Sequence, residues 1–287
     1  MPFFPTSAGR LAAAAAVAAL LAAPGAHARD PSAEAAALRD KLDEVRPRLE
    51  RNGFGRPLHL DSRESSGELA GEVFALLEHP FSRVGGALAE ARQWCDVLTL
   101  PFNVQRCEAR DGVVTVSIGR KPDSPIEEAT RLELRFALSA KSDELLKVRL
   151  SAPQGPAGTS DYRIAFEAIP AGERRTFVHL GYGYAHGVMS RMAMQAYLST
   201  AGAGKVGFTA EGTDAQGRPR LVGGMRGVLE RNTMRYFLAI DAYLDAMSAP
   251  PERRRLERLE RWFRAVERYP RQLREMSREE YLALKQK

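Results

Sequence analysis

Residues 162–184 read YRIAFEAIPAGERRTFVHLGYGY. Tyr162, Ile164, Phe166 and Ala168 occupy alternate positions. Pro170-Ala171-Gly172 turns the chain, and Thr176, Val178, Leu180, Tyr182 and Tyr184 alternate again. A period of two on both sides of a turn predicts two antiparallel strands, each with one buried face. The same signal recurs upstream. It is carried by Leu146, Val148 and Leu150, by Leu132, Leu134, Phe136 and Leu138, and by Val113, Val114, Val116 and Ile118. Asp111-Gly112 marks a hairpin between the last of these and residues 104–109. Residues 68–78 alternate in part through Leu69, Gly71, Val73, Ala75 and Leu77. Between that strand and the next, Val84, Leu88, Ala91, Cys95 and Leu98 fall at helical spacing. The expectation is an α+β chain with a seven-stranded antiparallel sheet and a helical pair inserted after its first strand.

A sheet must bury one face. Downstream, residues 189–198 and 225–247 read as the covering helices. In the longer one, Met225, Leu229, Tyr236, Ile240, Tyr243 and Met247 fall on one face. A Gly-rich insert, residues 201–224, separates them and reads either as a mobile lid or as tight turns packed on the sheet. Leu38, Leu42, Val45 and Leu49 predict an N-terminal helix that ends at Asn52-Gly53, and residues 54–66 read as a polar linker.

This order of strand, helical pair, six strands and long C-terminal helix, with the cluster Trp94-Cys95-Asp96 closing the pair, resembles the START-like helix-grip family. That family is also called the SRPBCC or polyketide-cyclase-like superfamily. The resemblance spans residues 68–247. More locally, Ser190-Arg191-Met192-Ala193, residues 205–209 (KVGFT) and residues 224–236 (GMRGVLERNTMRY) are similar to runs in an uncharacterised exported bacterial branch. The resemblance implies a sheet wrapped around the long helix, with a cavity between them for a lipid or another apolar molecule. Two departures stand out: about 35 residues intervene before the long helix, and both terminal helices are additional. The organisation expected is 1–28 leader, 29–66 N-terminal helix and linker, 67–250 START-like domain with insert 189–224, and 251–287 tail.

Composition sets bounds on this reading. The chain has 287 residues, 44% hydrophobic and 27% charged, with a net charge of +6. These values exclude a disordered or collagen-like chain, and a mean hydropathy of −0.32 excludes a multi-span membrane protein. Arg10 precedes an apolar run of 13 residues, 11–23, too short for the roughly 20 a spanning helix needs. Pro24-Gly25 and Ala26-His27-Ala28 follow, so a signal peptide cleaved after Ala28 and a soluble periplasmic protein are expected. In an oxidising compartment the only cysteines, Cys95 and Cys107, read as a disulfide, with two buried thiols as the alternative.

The motifs of hydrolases, metalloproteases, P-loop proteins and dinucleotide-binding proteins are missing from the sequence. His59, His79, His179 and His186 show no metal-ligand spacing, so no metal, cofactor or catalytic residue is assigned. Tyr182, Tyr184, Tyr236 and Tyr243 fall on inward faces, as rings with polar tips either in a pocket or in plain core. Arg226, Glu230, Arg231, Asn232 and Arg235 form the most unusual polar cluster. The candidate ligand-binding set is therefore Tyr182, Tyr184, Arg231, Arg235, Tyr236 and Tyr243. The alternative for the arginines is a solvated helix face carrying ion pairs. The tail from Glu252 holds 12 Lys+Arg and seven Asp+Glu, a net +5, and Arg10 holds one more charge, so residues 11–251 are neutral. Its stripe of Leu256, Leu259, Phe263 and Val266, with Trp262 beside it, suits either an anionic membrane surface or packing on the domain. Nucleic acid is not expected. The function expected is non-catalytic binding of an apolar molecule. The alternatives are a cyclase- or hydrolase-like enzyme using the same cavity, or an envelope protein whose cavity is filled by its own side chains.

Overall fold

The computed structural model describes residues 30–121, 124–200 and 202–286. The leader read over residues 1–28 lies outside the described residues. Helix α1 (Pro31–Glu50) begins at an Asp30 cap, which accepts from the Ser32 amide at 2.9 Å. Strands β1 (Leu58–Ser65) and β2 (Glu68–Leu77) follow, then α2 (Phe81–Ala87) and α3 (Ala91–Leu98). Six strands come next: β3 (Val104–Arg110), β4 (Val113–Ile118), β5 (Thr130–Lys141), β6 (Leu146–Gln154), β7 (Thr159–Pro170) and β8 (Thr176–His186). After α4 (Val188–Leu198), the insert forms a small hairpin of β9 (Ala210–Thr213) and β10 (Pro219–Leu221). The long helix α5 (Gly224–Ala246) leads to α6 (Arg254–Glu267), α7 (Pro270–Leu273) and α8 (Arg278–Gln286). Among the described residues, no helix is long and apolar enough to cross a membrane.

The main sheet is antiparallel and eight-stranded, in the order β1-β2-β8-β7-β6-β5-β4-β3. The seven strands expected are all present, and β2 closes on β8 through ten paired positions. The count differs because residues 58–65, read as linker, form β1. Leu58 and Leu60 are buried, but the outer half is the polar run Asp61 to Ser65, which hides the alternation. It is an edge strand paired with β2 along its whole length. The arrangement is compatible with the helix grip expected, with one strand added.

The sheet buries both faces. Val178, Leu180, Tyr182 and Tyr184 of β8 point into the main core with α5, while Phe177 and Phe74 point the other way. On that second face α1 lays down Leu38, Leu42, Val45 and Leu49, the stripe its sequence predicts. Between them sits an ionic cluster in which His179 is stacked on Phe74 at 4.5 Å and lies between Glu167 (3.0 Å) and Glu72 (3.3 Å). Burial alone would depress His179, but its bonds to the two carboxylates prevail and raise it to about 9. The bond from His179 holds Glu167 down to about 2.

Helix α5 differs most from its sequence reading. A single apolar stripe implies a wet opposite face, yet Glu230, Arg231 and Thr233 are also buried. The insert covers Glu230 and Arg231, Thr233 faces the sheet, and the tail covers a further part of the helix. Leu259, Trp262, Phe263 and Val266 of α6 turn into the domain against α5, and the Trp262 indole donates to the Arg235 carbonyl at 3.2 Å. Tyr281 of α8 is buried and donates to the Leu100 carbonyl at 2.9 Å. The apolar stripe that a membrane surface would need is thus spent on the protein core, with Leu256 alone left 40% exposed. On the sheet side α5 lies close: a Cβ on Gly71 of β2 would come within 2.5 Å of the Thr233 hydroxyl.

Candidate functional site

The interior between sheet and α5 is largely filled by side chains. Trp94 packs edge-on to Phe166, and Val148, Leu150, Leu238 and Ile240 fill the space around them. What remains is a pocket of about 140 Å³ at one end. It is lined by Tyr162 and Tyr182 from the sheet, Asn232, Arg235 and Tyr236 from α5, and Pro101, Asn103, Ile118 and Pro156 from neighbouring turns and strand ends. The strand period places Tyr162 and Tyr182 side by side, because residues two apart on neighbouring strands share a face. Their rings lie 5.8 Å apart, and the Tyr182 hydroxyl donates to that of Tyr162 at 3.1 Å. Tyr236 meets Tyr182 edge-on at 5.1 Å, and Tyr184 stacks on Tyr162 at 5.2 Å.

Burial pushes all four phenols above their ordinary range, so each stays protonated at neutral pH. They serve as hydrogen-bond donors and apolar walls rather than as bases. Arg235 brings charge to the pocket wall. It donates to Glu275 and to the Asn232 side-chain Oδ1 at 3.3 Å, while its buried Nε has no partner among the described residues. Lys205 of the insert shares Glu275, so one carboxylate faces two cations.

Of the expected residues, Tyr182, Tyr236 and Arg235 line the pocket, Tyr184 stands behind it against Tyr162, and Arg231 and Tyr243 lie elsewhere. Arg231 lies one helical turn away and is only 2% exposed. Its Nη1 donates to the Val206 carbonyl at 3.4 Å and its Nε is unpartnered. Burial, then the nearby Arg235, depress its pKa. Tyr243 lies near the far end of α5 under the Arg258 guanidinium, 4.6 Å from its ring centre. Tyr162 and Asn103 are polar lining residues that sequence reasoning passed over, whereas Asn232 belonged to the polar cluster it singled out. The stacking of Tyr162 on Tyr184 follows from the β7–β8 pairing already visible in residues 162–184.

Glu230 is a structural anchor and does not face the pocket. Its fully buried carboxylate accepts from the Phe208 amide at 2.6 Å, the Thr209 amide at 2.9 Å, the Thr209 hydroxyl at 2.7 Å and the Ser62 hydroxyl. Arg226 donates to Ser62 at 2.7 Å and to Glu211 at 3.1 Å. The segment around Gly207 is therefore a tight turn packed on α5: a Cβ there would lie 2.5 Å from a Glu230 oxygen. Cys95 and Cys107 form a disulfide that ties α3 to β3, with Cα atoms 5.3 Å apart.

Elsewhere, His79, Asp241 and Asp245 converge within 4.8 Å, a grouping that no sequence spacing announces. Protein cations already attend it, Arg56 on Asp241 at 2.7 Å and Arg261 near Asp245 at 3.7 Å. A larger cleft of about 610 Å³ opens between α3, β3 and the tail.

No protein-family model matches the chain, and no curated protein matches it. Similar solved structures include norcoclaurine synthase from Thalictrum flavum, at 14% identity and a TM-score of 0.34, covering 49% of this chain and 89% of that one. A conserved protein from Geobacillus kaustophilus has 11% identity and a TM-score of 0.37, over 62% of this chain and 95% of that one. A protein from Arthrobacter aurescens has 14% identity and a TM-score of 0.34, over 64% and 91%.

Proposed function

We propose that this is an exported, non-catalytic binding protein that holds a small apolar molecule in the tyrosine pocket between sheet and long helix. The observation that carries this is the pocket itself. It is a ring-sized space walled by three tyrosines and two prolines, with the unpartnered Nε of Arg235 beside it. A cavity of about 150 Å³ is enough for a benzene-sized guest, so the ligand class is a single-ring compound with an acceptor or anionic substituent directed at Arg235. A long acyl chain does not fit this space, which narrows the expected lipid or apolar ligand to the smaller kind. Among the described residues, no carboxylate or imidazole lines the pocket, and the phenols are held protonated. A binder is therefore favoured over a cyclase- or hydrolase-like enzyme. The leader-like first 28 residues and the Cys95–Cys107 disulfide support a periplasmic location.

The filled interior favours one competing reading, an envelope protein whose core needs no guest. Native mass spectrometry of the purified mature protein, followed by solvent extraction, separates the two. A stoichiometric single-ring compound that is lost in Arg235→Ala supports binding. A protein that carries no guest, and takes up neither benzoate nor phenol on titration, supports the filled-core reading.

A further inference from the structure

The cleft between α3, β3 and the tail has more than four times the volume of the tyrosine pocket and lies within the roughly 300–1,000 Å³ range of small-molecule sites. One wall is the end of α3 and the start of β3, fixed to each other by the Cys95–Cys107 disulfide. The other wall is α6 and α8, held down by buried Trp262 and Tyr281.

Their charge is one-sided. Arg106, Arg255, Arg258 and Lys285 line the cleft, and Asp96 is the sole carboxylate among the described lining residues. Asp96 is engaged by Arg258 at 2.8 Å, and the buried Nε of Arg258 has no partner among the described residues. Arg106 has only a distant, exposed Glu108 at 3.9 Å. Arg255 spends one N–H on the Lys285 carbonyl at 2.7 Å. The Lys285 ammonium donates to the carbonyls of Thr99 and Pro101 at 2.7 Å and of Val104 at 2.6 Å, and among the described residues no carboxylate pairs with it. Burial pushes it down to about 7. A half-buried cation surrounded only by dipoles gains from an added anion. Leu284 on α8 and Ile126 at the rim, 43% exposed, supply apolar surface beside these charges.

We propose that this cleft is a second ligand site, which takes an organic anion: a carboxylate or phosphate head on a short apolar segment. The net +5 of the tail then serves a site that the tail itself builds. The proposal is independent of the tyrosine-pocket reading.

Isothermal titration of the mature protein with octanoate tests it, beside inorganic phosphate (head without chain) and octyl glucoside (chain without charge). The variant is the double substitution Arg106→Ala/Arg255→Ala, two exposed side chains whose loss leaves the core intact. Expected are saturable 1:1 binding of octanoate, weakening with added salt, and a loss of roughly tenfold or more in the double variant. Phosphate should bind more weakly than octanoate, and octyl glucoside should not bind. Absent octanoate binding, an unchanged affinity in the double variant, or equal affinity for octyl glucoside or phosphate would each overturn the proposal.

Discussion

Replacing Glu230 probes how the insert is held on the long helix. Its carboxylate gathers four donors in a site with no exposure to water. In Glu230→Ala the Ser62 and Thr209 hydroxyls can rotate toward other acceptors, but the Phe208 and Thr209 amides cannot. Two buried orphan donors cost about 1–3 kcal/mol each, so the loss should be roughly 2–5 kcal/mol. In Glu230→Gln the remaining carbonyl oxygen still accepts from the amides, and the new NH2 can donate to hydroxyls that turn to receive it. That loss should be about 1–2 kcal/mol. At this chain size 1 kcal/mol moves Tm by roughly 2–4 °C, which makes the two variants separable by calorimetry. Hydrogen exchange adds a local signature: the Phe208 and Thr209 amides should lose protection in the alanine variant before the strands do. Equal melting of the two variants, or an alanine variant within 1 °C of the parent, would refute the anchoring role.

Three further outcomes follow from the charges and the crosslink. The stabilising contributions of the His179 cluster are both complete between the unfolded values of 4.5 for Glu167 and 6.5 for His179. The histidine's stabilising contribution is complete below 6.5 and is lost as pH rises through about 9, whereas that of Glu167 is lost as pH falls toward about 2. Urea unfolding should therefore show stability falling by roughly 2–3 kcal/mol from pH 6.5 to 9, and a slope unchanged in His179→Gln would contradict this. Reducing Cys95–Cys107 opens a loop worth about 3 kcal/mol, so Tm should drop by roughly 6–12 °C; no drop on verified reduction would remove the crosslink from the stability account. Arg231 is a desolvated cation beside Arg235, with one long bond to a carbonyl and only weaker help from Tyr197 and Glu275. Arg231→Met should leave stability within about 1 kcal/mol or raise it, and a larger fall in a denaturant titration would mean the guanidinium has a partner that stabilises it.

The alternation of residues 104–184 made the sheet legible, because each strand keeps one apolar face in the main core. The α1 stripe was legible for the same reason. Strand β1 was not: its pairing with β2 rests on backbone bonds, and residues 61–65 pack no apolar side chain. The one short signal was Ser66-Gly67, where Gly67 takes a positive φ of 96° at the hairpin turn. The second buried face of α5 was hidden because it is covered by a tail whose own stripe left its docking partner open. With the insert folded onto the same helix, Arg231 becomes interior and Glu230 becomes an anchor, so charges that read as a ligand site are mostly architecture. The tyrosines fared better, since strand period and helix face together aimed Tyr182, Tyr184 and Tyr236 at one point. Tyr243, seven residues beyond Tyr236, keeps the face but lies about 10 Å further along the axis, outside the pocket.

The most direct test of the tyrosine pocket is an NMR measurement of contacts between the protons of a bound single-ring guest, benzoate, and the ring protons of Tyr162, Tyr182 and Tyr236. The account predicts contacts to all three rings, lost together when the pocket is blocked by Ile118→Trp. Saturated benzoate whose contacts fall only on residues outside this cluster, or benzoate that never saturates, would contradict it.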